Sequence, residues 1–194
     1  MTTAKAKDIL DPREELVEHL PAMRAFALSL TRNRAAADDL VQDAVVKAWQ
    51  NIEKFEPGTN LRAWLFTILR NLFYSARRKS KREVQDSDGA MVATLSEKPD
   101  HDGRLALADF ERAFVQLTDE QREALVLVGA SGFSYEEAAE MCGCAMGTIK
   151  SRVNRGRARL VEILQLSDDE ALEMTDKTTM AVVTSRIMPN KEQV

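Results

Sequence analysis

The feature that most restricts this chain is the spacing of its apolar residues, which recur at intervals of three and one over most of its length. Leu61, Trp64, Leu65, Ile68, Leu69, Leu72 and Phe73 trace one helical stripe, and Leu40, Val41, Ala44, Val45, Ala48, Trp49 and Ile52 trace another. No stretch alternates apolar and polar residues between turn dipeptides, as strands would. The expected class is all-α, in two small helical domains joined by a flexible linker.

The first segment, Pro12 to Leu20, is interrupted by Pro21, which suits the first turn of a second helix carrying Met23, Phe26, Ala27 and Leu30. Asn33 is placed to cap the next helix, whose stripe from Leu40 to Ile52 is expected in the core. Its opposite face shows Asp38, Asp39, Gln42, Asp43 and Lys47. Glu56-Pro57-Gly58-Thr59-Asn60 reads as a loop. In the helix that follows, Thr67, Asn71, Tyr74 and Arg78 form a separate polar line at intervals of four, three and four.

Periodicity stops between 84 and 103, where Asp, Ser, Gly and Pro accumulate into an acidic linker. The expected domains are therefore 12–83 and 104–165, with a disordered tail over 166–194. Within the second, Leu105 to Leu117 reads as helix. Thr118-Asp119-Glu120-Gln121 and Ser134-Tyr135-Glu136-Glu137 have the form of capping boxes, with the chain broken between them at Ser131-Gly132. The short helix of Ala138, Ala139 and Met141 meets Gly143, and a basic helix from about Thr148 to Leu160 resumes after Gly147.

Overall charge is uninformative: 27 basic against 31 acidic residues leave a formal −4. The local pattern is not. From Leu61 to Arg82 there are Arg62, Arg70, Arg77, Arg78, Lys79, Lys81 and Arg82 without one acid, and Met146 to Leu160 holds Lys150, Arg152, Arg155, Arg157 and Arg159, again without one. The start lacks a signal-peptide core, and no apolar run approaches the roughly 18 residues that span a bilayer, so a cytosolic protein with no membrane partner is expected. Cys142 and Cys144 lack a second ligand pair, so they read as packing residues; His19 and His101 are isolated in sequence. Without an acid–base pair or a phosphate loop, neither an enzyme, a cofactor nor a metal site is expected.

Two short helices joined by a glycine turn, the second cationic, meet the requirements of a major-groove reader. Thr148, Lys150, Ser151, Asn154 and Arg155 are the residues able to approach base edges, while Ile149, Val153 and Leu160 hold the helix to its partner. Arg157 and Arg159 lie further along, where phosphate contact is expected.

The Ser134 to Ala139 segment with Gly147-Thr148-Ile149-Lys150-Ser151-Arg152-Val153-Asn154-Arg155-Gly156-Arg157 resembles the region 4 helix-turn-helix of the extracytoplasmic-function (ECF) bacterial sigma factors. That resemblance spans about Glu14 to Leu164. It implies a winged-helix-like, four-helix second domain that reads the promoter minus-35 element, with Arg152 also on the DNA side. Asp38-Asp39-Leu40-Val41-Gln42-Asp43-Ala44 and Lys47-Ala48-Trp49 resemble the segment with which such factors grip core RNA polymerase. Phe55 to Leu65 and Asn71 resemble the loop and helix that hold the unwound minus-10 element, a flipped base lodging between the loop and Asn71. Pro57, Gly58, Thr59, Asn60, Arg62, Thr67, Asn71, Tyr74 and Arg78 are thereby implicated. A flipped base loses stacking and pairing worth a few kcal/mol, which a polar, cationic channel would offset.

The run from Phe55 to Asn71 further resembles the subgroup of the alphaproteobacterial general stress response. It implies control by a small soluble anti-sigma factor and promoters near GGAAC and GTT. The rival readings are a sigma mimic that sequesters an anti-sigma factor, a conventional helix-turn-helix regulator, and a recombinase or nuclease with an appended reader. The mimic has no need of two acid-free basic helices, the regulator none of a polymerase grip, and the enzyme would want a strand-bearing catalytic domain.

Overall fold

The computed structural model describes residues 11–85 and 102–166, which form seven α-helices and no strand among the described residues. The expected linker core at 86–101, His101 and the tail beyond 166 lie outside the described residues.

Helix α1, Pro12–Thr31, opens on Asp11, whose side chain accepts from the Arg13 amide at 2.9 Å, with Pro12 at its first position. It runs unbroken through Pro21, where two helices were expected. Pro21 removes only the bond to the Val17 carbonyl, on a stretch of the helix where Val17 is 60% exposed. Leu16, Met23, Phe26, Ala27 and Leu30 then bury a single stripe. Helix α2, Arg34–Gln50, starts at the expected cap, with Asn33 Oδ1 accepting from the Ala36 amide at 3.0 Å. Its buried line is Ala37, Leu40, Ala44 and Ala48. This centres the stripe nearer the alanines than the sequence suggested, leaving Val41 and Val45 half-buried and Trp49 54% exposed. Small side chains let α1 and α2 approach closely, and the large ring is turned outward beneath the Arg13 guanidinium, 5.4 Å from its centroid.

A 3₁₀ turn, Ile52–Lys54, leads to the loop and to helix α3, Leu61–Gln85. Asn60 caps α3 by accepting from the Ala63 amide at 3.1 Å. Leu61, Leu65 and Leu69 are buried as expected; so is Phe66, which stacks on Phe26 with centroids 5.0 Å apart. The helix continues through 84 and 85, positions the sequence had assigned to the linker.

Helix α4, Asp102–Val115, precedes α5, Asp119–Leu125, and both capping boxes form: Thr118 with Gln121, and Ser134 with Glu137. A π-helical turn, Val126–Ala130, extends α5 and carries the chain to Gly132, whose φ of 71° lies in the left-handed region. Helix α6, Tyr135–Cys142, ends on Gly143 at φ 62°, and α7 spans Met146–Leu164. The basic helix thus begins two residues before Thr148, with Gly147 inside its first turn. Cys142 is buried and Cys144 half-buried. No wing accompanies this helix-turn-helix among the described residues.

The two helical groups share one core. Helices α1 and α3 pack against α5 and α6, and Phe133 meets Phe66 edge-on at 5.1 Å. No helix of the described residues is long and apolar enough to cross a membrane.

Candidate nucleic-acid interface

Helix α7 is held by Ile149, Val153 and Leu160, which are 0%, 1% and 3% exposed. Gly156 joins that buried face: a Cβ there would stand 2.8 Å from Leu125 Cδ1, so a larger residue would have to displace the Leu125 side chain between α5 and α7. The opposite face carries Ser151, Asn154 and Arg155, flanked by Thr148 and Arg152 on one side and Lys150 and Arg157 on the other. Lys150, Asn154, Arg155 and Arg159 are exposed; Thr148, Ser151, Arg152 and Arg157 are half-buried. Their polar contacts are local. Arg155 folds onto the Ser151 carbonyl and hydroxyl at 3.3 and 3.0 Å, Arg159 pairs with Glu162 at 2.6 Å, Arg152 reaches Cys144 Sγ at 3.9 Å, and the Lys150 ammonium lies 5.7 Å over the Tyr135 ring. The exposed single-turn contacts of Arg155 and Arg159 are worth at most a few tenths of a kcal/mol, so they yield readily to DNA.

On α2, Asp39, Gln42, Asp43 and Lys47 are exposed, whereas Asp38 is already engaged. The Arg24 guanidinium grips its carboxylate with bonds of 2.5 and 2.8 Å and holds its pKa below the usual range. Exposed Val46 and Trp49 extend the same face.

The loop positions Pro57, Gly58, Thr59 and Asn60 are all exposed. Gly58 has φ 91°, which an L side chain rarely adopts, and Thr59 closes the turn by donating from Oγ1 to the Glu56 carbonyl at 2.8 Å. Phe55 and Trp64, with centroids 5.5 Å apart, anchor its base. Of the polar line on α3, Asn71 and Arg78 are exposed. The Thr67 hydroxyl is spent on the Ala63 carbonyl at 2.8 Å.

Three of the expected strand contacts are occupied by the second helical group. Asn60 Nδ2 donates to Glu137 Oε1 at 2.7 Å. The Arg62 guanidinium lies between Phe66 and Phe133, 5.4 and 4.8 Å from their centroids, and burial lowers its pKa. The Tyr74 hydroxyl donates to Glu123 Oε2 at 3.2 Å; burial, then the Glu123 charge, pushes the phenol pKa up, so the ring stays neutral. Arg70 donates to Glu123 Oε1 at 2.7 Å, with a side chain 18% exposed against 0% for Glu123, and Arg77 pairs with Asp119. At the mouth of this contact, Glu15, His19, Asn60, Arg62, Gly132 and Glu137 line a cleft of about 410 Å³. His19, isolated in sequence, sits 3.6 Å from Glu15.

The sequence reading did not single out Arg70, Arg77, Asp119, Glu123, Phe133 or Glu137 for any role between the domains. A signal was present: Arg62, Phe66, Arg70, Tyr74 and Arg77 form a line at intervals of four, four, four and three that meets the polar line already noted at Tyr74. Its partner, Glu123, lies on a seven-residue helix where Arg122, Ala124 and Leu125 are also buried.

Residues 16–83 match the family described as Sigma-70 region 2, and residues 107–160 match Sigma-70, region 4. The chain is 52% identical over 171 residues to the ECF RNA polymerase sigma factor EcfG of Rhodopseudomonas palustris, covering 88% of this chain and 94% of that one. It is 31% identical to the RNA polymerase sigma factor CarQ of Myxococcus xanthus, covering 79% and 90%. Among solved structures, the sigma factor RpoE of Bartonella quintana, co-crystallised with the anti-sigma factor NepR, is similar at a TM-score of 0.73 and 56% identity, covering 80% of this chain and 97% of that one. The all-helical pair of regions, the helix-turn-helix with its open basic face and these relatives give one conclusion: the chain belongs to the ECF RNA polymerase sigma factors, initiation factors that bind core polymerase and promoter DNA and are not enzymes.

Proposed function

We propose that this sigma factor holds a promoter at two points, with region 12–83 on the minus-10 element and core polymerase and region 104–165 on the minus-35 element. The observation that carries the reading is the open face of α7, where Lys150, Asn154, Arg155 and Arg159 stand exposed around a helix anchored by three buried aliphatic residues. Thr148, Lys150, Ser151, Asn154 and Arg155 approach bases; Arg152, Arg157 and Arg159 approach phosphates. Asp39, Gln42, Asp43 and Lys47 offer the polymerase an exposed polar face, with Asp38 braced by Arg24. Pro57 to Asn60 with Arg62, Thr67, Asn71, Tyr74 and Arg78 form the strand-holding surface, on which a non-template base is flipped.

The subgroup is that of the alphaproteobacterial general stress response, as the resemblance over Phe55 to Asn71 and the identity to EcfG support. The protein acts in the cytoplasm under a small soluble anti-sigma factor; the 56% identity to a sigma factor crystallised with one supports this. The test is run-off transcription with purified core polymerase on promoters carrying GGAAC and GTT elements. A transcript that depends on both elements is expected, and addition of a cognate anti-sigma factor should abolish it. No transcript together with no core binding refutes the two-point reading.

A further inference from the structure

Resting on the minus-35 assignment of Lys150 above, we propose that Tyr135 is a positioning residue for promoter reading: its ring, on the first helix of the helix-turn-helix, holds the Lys150 ammonium where it can read a base edge. Two helices thus share a task that the sequence pattern assigned to one.

Lys150 differs from the other exposed cations of α7 in where its contact comes from. Arg155 folds onto Ser151 and Arg159 onto Glu162, both within their own helix. The Lys150 ammonium instead lies 5.7 Å from the ring centroid of Tyr135, which belongs to α6. That is inside the roughly 6 Å over which a ring face attracts a cation. The ring is itself fixed. Tyr135 is the first residue of α6, and the capping box around it sets the backbone there: Ser134 Oγ accepts from the Glu137 amide at 3.1 Å, and Glu137 Oε2 accepts from the Ser134 amide at 2.8 Å. The Tyr135 side chain is half-buried and packs against the core.

A ring suits a cation that has to read. A carboxylate partner would take the ammonium's donors and offset its charge, whereas a ring face attracts the charge through its quadrupole and leaves donors pointing away from it. Guanine presents O6 and N7 to such donors in the major groove. Fixing a free lysine side chain on binding costs conformational entropy, and a ring that restricts it beforehand removes part of that cost. Without the ring the same lysine would still find phosphates, which carry no sequence information. Tyr135 therefore acts on discrimination at one base pair more than on overall affinity.

The test uses the full-length protein and a panel of minus-35 duplexes, each with one base pair changed, read by fluorescence anisotropy. Lys150→Ala identifies the base pair that Lys150 reads, as the one whose substitution ceases to lower affinity. Tyr135→Leu should reduce the penalty at that same base pair about threefold, leaving the other penalties and the salt dependence of binding unchanged. Tyr135→Phe, which keeps the ring, should behave as the parent protein. If circular dichroism shows that the leucine variant does not fold, pentafluorophenylalanine at position 135 carries the test: it keeps the shape of the ring, reverses the polarity of its face and should give the same threefold reduction. Equal relaxation at every base pair, persisting in a Lys150→Ala background, makes Tyr135 a packing residue and overturns the proposal. An equal effect of Tyr135→Phe and Tyr135→Leu also overturns it, because the hydroxyl then touches DNA itself. A penalty lost with Lys150→Ala but kept with Tyr135→Leu overturns the proposal alone. If Lys150→Ala relaxes no base pair, the base-reading assignment of Lys150 fails, and the proposal with it.

Discussion

Replacing Gly156 by alanine sets two effects of known size against each other in the helix that reads DNA. In an exposed helix interior, Gly→Ala stabilises by about 0.8–1.0 kcal/mol through backbone entropy. Here the new methyl would lie 2.8 Å from Leu125 Cδ1, 3.3 Å from its Cγ and 3.5 Å from Gln121 Cβ. Leu125 is 3% exposed, so its side chain cannot swing into solvent, and contact with Cγ as well as Cδ1 means that rotating the terminal methyl does not clear the space. Overpacking of a filled core costs about 1–3 kcal/mol. The net expectation for Gly156→Ala is a loss of about 1 kcal/mol, and for Gly156→Val, which gains less propensity and brings two further methyls, about 2–3 kcal/mol. Urea unfolding followed by circular dichroism measures both. A cycle with Leu125→Ala should show a favourable coupling of about 1–2 kcal/mol, because the methyl then fills part of the cavity. Minus-35 duplex affinity should fall with Gly156→Val as α7 is pushed off α5. A higher midpoint for Gly156→Ala, or no coupling to Leu125, would refute the reasoning and show that the close approach of α5 and α7 is slack.

Three further outcomes are expected. Arg155→Ala should lower binding to the correct minus-35 duplex by about 1–3 kcal/mol and to scrambled duplex by little; equal losses would make Arg155 a phosphate contact. Asn71→Ala should spare minus-35 binding while impairing open-complex formation, read by permanganate footprinting of the separated strand, and normal opening would remove Asn71 from the strand-holding surface. Burial, followed by the nearby Glu123 charge, pushes the Cys142 thiol up to about 12, a folded value above the ordinary 9.0. Raised in this way, the thiol stays protonated at neutral pH, and its contribution to stability is present below pH 9 and is lost as pH rises from there toward 12. Cys142 should therefore resist a disulfide reagent at pH 8 until the protein is unfolded, while half-buried Cys144 reacts first; rapid reaction of both thiols in the native protein would contradict the buried site.

Much of the local structure could be read from the chain alone, because its causes are local. Asn33, Thr118, Ser134 and Gly143 punctuate helices through bonds to amides and carbonyls within a few residues, and each does so at the expected place. Ile149, Val153 and Leu160 set the inward face of α7 by spacing alone, and so left Lys150, Asn154 and Arg155 facing out. The points that went otherwise depend on what each helix meets. Pro21 was expected to divide α1, yet the stripe from Leu16 to Leu30 buries across it. Trp49 was expected inside, yet the line of alanines on α2 takes the close contact. The acid-free run of α3 was visible in sequence, but a run of cations does not reveal whether DNA or carboxylates will face it.

By itself, then, the sequence determined the helical class, most helix caps, the inward face of α7 and the two cationic runs, since these follow from spacing and capping within one or two turns. Only the tertiary structure decided that Glu123, Asp119 and Glu137 meet Arg70, Tyr74, Arg77 and Asn60. Those partners lie some forty to eighty residues apart, and nothing in the local spacing of either segment fixes how one helical group docks on the other. The physical reason is that burial of a charge such as Glu123 is favourable only when distant helices bring it an opposite charge and a hydrogen-bond donor.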